Sequence, residues 1–232
     1  YEGKQMGEIW GFETAGIFQT SDEIKAAPVQ SQIAGGVWRP GDVRYSDLNG
    51  DGKITLGNST LGNPGDSKII GNSIPRYQFG VNANASWKSF DFNMFLQGTG
   101  KRDYWTNSFL FWGLINGTNI NGGVGTPEVY YNSWTPERND AFYPAFKPAV
   151  KNMQVQSRYL LNAAFLRLRN ITIGYTLPEN LTKKVKMERL RVFTSGFNLL
   201  TFSKVPKFMD PENMNDAYPM IRNMTIGAQV NF

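Results

Sequence analysis

Three oxygen-bearing side chains at alternate positions, Asp47, Asn49 and Asp51, run into Gly52 in the stretch DLNGDGKIT. That spacing is the first half of a cation-binding loop of the EF-hand kind. Such a loop takes side-chain oxygens at positions 1, 3 and 5, a glycine turn at 6, a backbone carbonyl at 7 and a bidentate carboxylate at 12. Lys53 stands at position 7 and would lend its carbonyl, but position 12 is Asn58, with one neutral oxygen to offer. Asp66 is the next carboxylate downstream and would have to fold back. One reading is a structural Ca2+ or Mg2+ held by Asp47, Asn49, Asp51 and Lys53, which would brace a loop and catalyse nothing. The other is a rigid turn in which Asp and Asn bond their own backbone.

Little other chemistry is available. The 232 residues include no histidine and no cysteine. Disulfides, Cys/His zinc sites, thiol nucleophiles and imidazole catalysis are therefore excluded. Glu137 and Asp140 are close in sequence, but a glycosidase needs two carboxylates placed across a cleft. With no phosphate-cradling glycine loop or nucleophile elbow either, the sequence predicts no enzyme and no required cofactor. The net charge of +5 is mild, and its densest basic run, Lys183 to Arg191, reads as a solvated turn. A nucleic-acid partner would want a broader basic face. Asn116 and Asn223 match the glycosylation pattern, as chance dictates in so Asn-rich a chain. Aromatics are plentiful, with 16 Phe, 10 Tyr and 6 Trp. Trp105, Trp112, Tyr130, Tyr131 and Trp134 crowd one stretch. Their flat faces could stack on sugar rings or grip peptide side chains, or simply form that stretch's own small core.

The elements that position these residues are long alternating strands. From Arg76 to Trp87 odd positions are apolar and even positions polar, the period-two pattern of a strand with two unlike faces. Lys88-Ser89 is a tight turn, after which Phe90, Phe92, Met94 and Leu96 alternate again, with Phe95 alone on the polar side. The last twelve residues repeat the pattern, ending on Phe232. In FLRLRNITIGYTL the apolar parity switches near Arg169-Asn170, which predicts a bulge. LRVFTSGFNLLTF is strand-like with ambiguous facing.

Connections are unequal: Lys88-Ser89 and Pro178 to about Glu188 are short, whereas 1–75, roughly 99–160 and 203–220 are long. Short turns at one end and long loops at the other are the habit of outer-membrane barrels. No run of 18 apolar residues exists, so no transmembrane helix is expected. Alternation alone fits a soluble sandwich as well as a membrane barrel. Strand length and the aromatics at strand ends (Tyr77, Trp87, Tyr175, Phe232) favour the barrel. Five strands cannot close one, because membrane barrels start at about 8. The strands would then be an arc, and the start at Tyr1 reads as a cut within a longer protein.

The phrases GDVRYSDLNGDGKIT, IIGNSIPRYQFGVNANASWKSFDFNMFLQGTG, FLRLRNITIGYTLPENL, LRVFTSGFNLLTF and RNMTIGAQVNF together resemble the C-terminal region of SusC-like TonB-dependent outer-membrane transporters of Bacteroidota. The resemblance runs in order over nearly the whole chain. It implies an all-β fold: the last five antiparallel strands of a 22-stranded transmembrane β-barrel. Residues 1–75 would be an extracellular loop region carrying the Asp47 turn. Residues 76–232 would be the last strands, with extracellular loops at about 99–160 and 203–220. It also implies import of oligosaccharides or peptides across the outer membrane of a Gram-negative bacterium. The partners would be a plug and N-terminal strands, a SusD-like lipoprotein lid, TonB and outer-membrane lipid. The loop aromatics would contact substrate or lid, the C-terminus would be periplasmic, and Phe232 would be the terminal aromatic read during barrel assembly. The competing class is a soluble, secreted, calcium-assisted carbohydrate-binding β-module, in which Phe79, Val81, Met94 and Ile226 pack against a second sheet. A surface-layer or adhesion protein without a plugged lumen is a third.

Overall fold

Alternating polarity over so many residues leaves extended strands as the conformation that separates the two kinds of side chain. The computed structural model describes residues 3–116, 126–214 and 220–232. Residues 117–125 and 215–219, inside the two long predicted loops, lie outside the described residues, as does the rest of the Asn116 glycosylation pattern. The strands in chain order begin with β1 (Glu8–Phe12), β2 (Thr14–Ile17), β3 (Val43–Tyr45) and β4 (Ser67–Asn72). Next come β5 (Tyr77–Trp87), β6 (Phe90–Gly100), β7 (Asp103–Tyr104) and β8 (Leu161–Asn162). Last are β9 (Phe165–Thr176), β10 (Arg189–Ser203) and β11 (Asn223–Asn231). None of the described helices is long and apolar enough to cross a membrane. The described residues fall into two units.

One unit is a five-stranded antiparallel sheet in the order β5-β6-β9-β10-β11. Its register keeps like with like across every strand. Trp87, Phe90, Tyr175, Val192 and Ala228 form one row, and Ala85, Phe92, Ile173, Thr194 and Ile226 the row beside it on the same face. Asn84, Asn93, Thr172, Ser195 and Thr225 form a row on the opposite face. Phe79, Val81 and Ile226 are 48%, 50% and 83% exposed, and Met94 is half-buried. A sandwich core would bury them; here the apolar face is open. Among the described residues β5 and β11 have a sheet neighbour on one side only, so the sheet is open, with an unpaired edge at each end.

The predicted bulge is at Arg169. Phe95 faces Asn170 and Leu96 faces Leu168, leaving Arg169 as an extra residue against β6. On the other side Phe197 faces Asn170 and Leu200 faces Leu168, so Asn198 and Leu199 share the space opposite Arg169. Asn198 takes φ 53° to do this. Two extra residues leave the parity of β10 unchanged, with Leu190, Val192, Leu200 and Phe202 all in the apolar rows; the facing of LRVFTSGFNLLTF is ambiguous by pattern because Phe193, Phe197 and Leu199 hold odd positions. The tight turn is where expected, with Trp87 paired to Phe90 and Lys88 at φ 53°. The second short link holds a helical turn, Glu179–Thr182, where Lys183 pairs with Glu179 at 2.7 Å on the surface. One detail differs from the reading by pattern. β11 ends at Asn231, and Phe232 lies beyond it, 83% exposed.

The other unit draws on residues within Tyr1–Ile74 and Arg102–Asn162. Among the described residues its sheets are the two-stranded ribbons β1-β4, β2-β3 and β7-β8, so side chains must satisfy backbone that a larger sheet would satisfy. Gln30 accepts from the Tyr45 N–H at 2.8 Å and donates to the Val43 carbonyl at 3.0 Å, while Asn152 accepts from the Val43 N–H at 3.0 Å. Fully buried Asp42 accepts from Asn152 and pairs with Lys147 and Lys151.

A glycine makes the sheet's polar face testable. Gly174 lies between Asp91 and the Arg191 guanidinium, which donates to both Asp91 oxygens at 2.8 and 2.5 Å. A Cβ there would meet the ends of two flexible side chains, an Asp91 carboxylate oxygen and Arg191 Nη2. Replacing a strand glycine ordinarily gains about 0.5–1 kcal/mol, and parting a partly exposed ion pair costs about 0–1 kcal/mol. Gly174→Ala is expected to part Asp91 from Arg191 while the folded band in heat-modifiability gels is lost close to the wild-type temperature. A markedly lower temperature would contradict this packing.

Candidate functional site

The polar face of the five-stranded sheet carries its side-chain hydrogen bonds and ion pairs. Its middle is a ladder of neutral amides and hydroxyls. Asn93 donates to Asn84 at 2.5 Å and accepts from Asn170 at 3.2 Å, and the hydroxyls of Thr172 and Ser195 lie 2.8 Å apart. Such groups exchange hydrogen bonds at little cost, because each can donate or accept.

At the bulge the face becomes charged. Strand parity would place Arg169 and Asn170 on opposite faces; the extra residue lets both join Arg167 on the polar one. Arg167, 1% exposed, donates through Nη2 to both Asp210 oxygens at 2.9 and 2.8 Å, through Nη1 to Glu212, and through Nε to Thr201 at 3.0 Å. Arg169 donates to the other Glu212 oxygen at 2.5 Å and to Gln97 at 2.8 Å. Two guanidiniums and two carboxylates thus pin the β10–β11 connection to the sheet. Desolvation pushes the Asp210 carboxyl up, but N–H groups of Glu212 and Met220 together with Arg167 outweigh it and hold the group below the usual range.

The Asp47 turn is closed by its own backbone. Asp47 accepts from the N–H of Gly50 at 2.6 Å and of Gly52 at 2.8 Å, Asn49 from that of Asp51, and Asp51 from that of Lys53. Slight desolvation raises the Asp47 carboxyl, and the Gly52 and Gly50 N–H groups more than reverse it, holding the group low. Asp66 does fold back, but its two oxygens accept from the N–H groups of Leu48 and Thr55 at 2.8 and 2.7 Å. Asn58 turns to Thr60. Among the described residues no group of three or more His, Cys, Asp or Glu is placed to hold a metal ion. The donors the turn brings together are two carboxylates and an amide, and backbone N–H groups already close the loop around them.

The loop aromatics divide. Trp112 is fully buried, in contact with Phe111 and Tyr159, and Trp105 is half-buried beside it at 5.7 Å. Trp134 is buried and donates from its indole N–H to Gln19 at 2.8 Å. These three build the unit's own core. Tyr130 and Tyr131 are the exposed pair, 5.4 Å apart, with Tyr130 also against Phe146.

Arg167, Arg169, Asp210 and Glu212 were missed by reading for motifs. The signal was present as two cations two residues apart in FLRLRN and two carboxylates two apart in DPEN. Nothing local says that the two pairs meet.

An open antiparallel sheet with an apolar face exposed and a polar face hydrogen-bonded has the two-faced pattern of a membrane β-barrel's wall. The relatives are of that class. The chain is 29% identical over 247 residues to a TonB-dependent receptor of Formosa agariphila, covering all of this chain and 22% of that protein. It is 26% identical over 202 residues to the TonB-dependent receptor SusC of Bacteroides thetaiotaomicron, covering 84% of this chain and 18% of SusC. The solved structure of the RagAB peptide transporter superposes with a TM-score of 0.64 at 23% identity, covering 98% of this chain and 23% of that one. No protein-family model matches the chain. The chain thus spans about a fifth of the length of these relatives, and along that span both sequence and fold resemble TonB-dependent receptors of the SusC type.

The clamp on the β10–β11 connection has a defined acid limit. A carboxyl whose folded pKa is depressed stabilises above its unfolded value, about 3.9, and loses that contribution as pH falls through the folded value. Amide hydrogen exchange at Glu212 and Met220, corrected for intrinsic rate, is expected to stay level from pH 7 to about 5 and to quicken only below about 4. Quickening between pH 7 and 6 would contradict a clamp made by the Asp210 carboxylate.

Proposed function

We propose that this chain is part of a TonB-dependent importer in the outer membrane of a Gram-negative bacterium, supplying the last five strands of its barrel wall. The observation that carries the reading is the sheet itself, with an open apolar face, a hydrogen-bonded polar face and an unpaired strand at each edge. In lipid every exposed backbone group left unpaired costs several kcal/mol, so the edges of β5 and β11 call for strands beyond this chain, up to the 22 of the family. The apolar rows would meet lipid and the amide ladder would line a wet lumen facing a plug. The long connections and the ribbon unit would be extracellular, forming a chamber under a SusD-like lipoprotein, with Tyr130 and Tyr131 available to substrate or lid. The C-terminus would be periplasmic, with the exposed Phe232 ring free for the assembly machinery. A divalent ion at the Asp47 turn would add a brace to a loop that its own backbone already closes.

Solute movement in this reading needs no covalent chemistry. The substrate is captured beneath the lid, and the plug is displaced by TonB. The substrate class is oligosaccharide or peptide. A soluble carbohydrate-binding module would need Phe79, Val81 and Ile226 buried, and their exposure argues against it. The test is uptake of labelled oligopeptides and oligosaccharides by cells with and without the gene. Saturable uptake of one class, lost on deletion and on collapse of the proton-motive force, is expected. Uptake of both classes unaffected by deletion would contradict the proposal.

A further inference from the structure

The two short links meet at one rim of the five-stranded sheet. The Ser89 carbonyl accepts from the Thr176 N–H at 2.8 Å, that of Leu190 from Leu177 at 2.8 Å, and that of Asn231 from Glu188 at 2.9 Å. Both links fall within the described residues, at the end of the sheet away from the β10–β11 connection, about 30 Å along the nine residues of β11. On the apolar side this rim is aromatic. Trp87 pairs with Phe90 and Phe90 with Tyr175, whose ring lies 4.7 Å from that of Phe90, and Trp87 is 68% exposed. Past the rings stand cations. Lys88 holds its ammonium 4.8 Å from the centre of the Trp87 ring, which puts that charge on the apolar side of the turn. Lys184 and Lys186 are exposed in the neighbouring link, as is Leu181. Of the carboxylates here, Glu179 is paired with Lys183, Asp91 is paired with Arg191 on the polar face, and Glu188 is exposed. Arg189 has the parity of Arg191 and belongs to the polar face.

We infer that this rim is a docking surface for the headgroups of anionic glycerophospholipids, with Lys88, Lys184 and Lys186 reaching the phosphates. This rests on the membrane-wall reading above and adds to it the kind of lipid the wall recruits. Amphipathic rings settle at headgroup level in a bilayer, and a lysine stem runs along apolar surface while its ammonium stays in the polar layer. With Trp87, Phe90 and Tyr175 at that level, the layer just past them is the one that holds phosphate. A zwitterionic headgroup brings its own ammonium, which competes with lysine for the phosphate. A headgroup with phosphate and no amine, as in phosphatidylglycerol, leaves its charge to the protein. An acidic protein in water would meet the same lysines, but it would not use the rings, whose rows run on without a break into the face that meets lipid.

The experiment uses the full-length transporter in phosphatidylcholine bilayers, with any cysteine elsewhere replaced by serine. A nitrobenzoxadiazole label is placed at Ala85→Cys, an exposed position on the apolar face two residues from Trp87. The probes are phosphatidylglycerol and phosphatidylcholine, each carrying a nitroxide on an acyl chain to quench the label. The protein with its lysines intact is expected to prefer the phosphatidylglycerol probe at least about fivefold, the equivalent of about 1 kcal/mol for one lysine at an anionic surface. Lys88→Gln/Lys184→Gln/Lys186→Gln should bring the two probes level while phosphatidylcholine quenches as before, which also shows that the variant is folded and embedded. Equal quenching with the lysines intact, or a preference that survives in the triple variant, overturns the docking surface and leaves the membrane wall standing. A preference abolished by inorganic phosphate at constant ionic strength assigns the cations to free phosphate and overturns the lipid. Quenching by neither probe overturns the membrane wall and the docking surface together.

Discussion

In a strand each residue commits its neighbour to the opposite face, so a wall with one apolar and one polar side must keep parity across all five strands at once. The sheet does so with one interruption. At Arg169 an extra residue shifts the phase of β9 against β6, and the paired irregularity at Asn198-Leu199 lets β10 follow. Without that shift, either Leu166 and Leu168 or Ile171 and Ile173 would be turned to the polar side. With it, the apolar rows stay in line, and two arginines that flank Leu168 come to share the polar face. The charged region of the face is thus a by-product of keeping the apolar face whole.

A guanidinium as enclosed as that of Arg167 has a large desolvation cost, and removing one partner from such a pair typically costs about 3–5 kcal/mol. The cost is tolerable here because the donors are met by Asp210, Glu212 and Thr201. What the cluster supplies in return is position. It fixes one end of the β10–β11 connection against the sheet. The ribbon unit shows the same economy of means. Its strands are too few to satisfy one another, and Gln30, Asn152 and Asp42 bridge the gaps with side-chain hydrogen bonds and ion pairs.

The sheet was legible in the sequence because its information is local. Period two is visible within ten residues, a hairpin is visible where two runs are separated by Lys88-Ser89, and a bulge is visible as a parity switch. The ribbon unit and the charge cluster were not legible for the opposite reason. Asn152 caps Val43 from 109 positions away, and Arg167 meets Asp210 across 43; no pattern links such distant residues. Composition alone could not choose between the two readings of the loop aromatics. Trp112 and Trp134 fit a binding surface or the stretch's own small core when counted as loop aromatics, and they are buried in the unit's own core. The Asp47 spacing is a faithful sign of a tight turn, because alternate Asp and Asn oxygens reach successive backbone N–H groups whether or not an ion is present.

The claim on which the rest depends is that one face of this sheet meets lipid and the other water. This chain holds no cysteine, so once any cysteine elsewhere in the full-length protein is replaced by serine, single cysteines placed at Gln78, Phe79, Val81 and Asn82 of the membrane-embedded protein report without background. The account predicts alternation: labels at 79 and 81 quenched by a lipid-soluble quencher and shielded from a water-soluble thiol reagent, with 78 and 82 the reverse. Equal reaction of all four with the aqueous reagent, or labels at 79 and 81 shielded from both lipid and water, would contradict it.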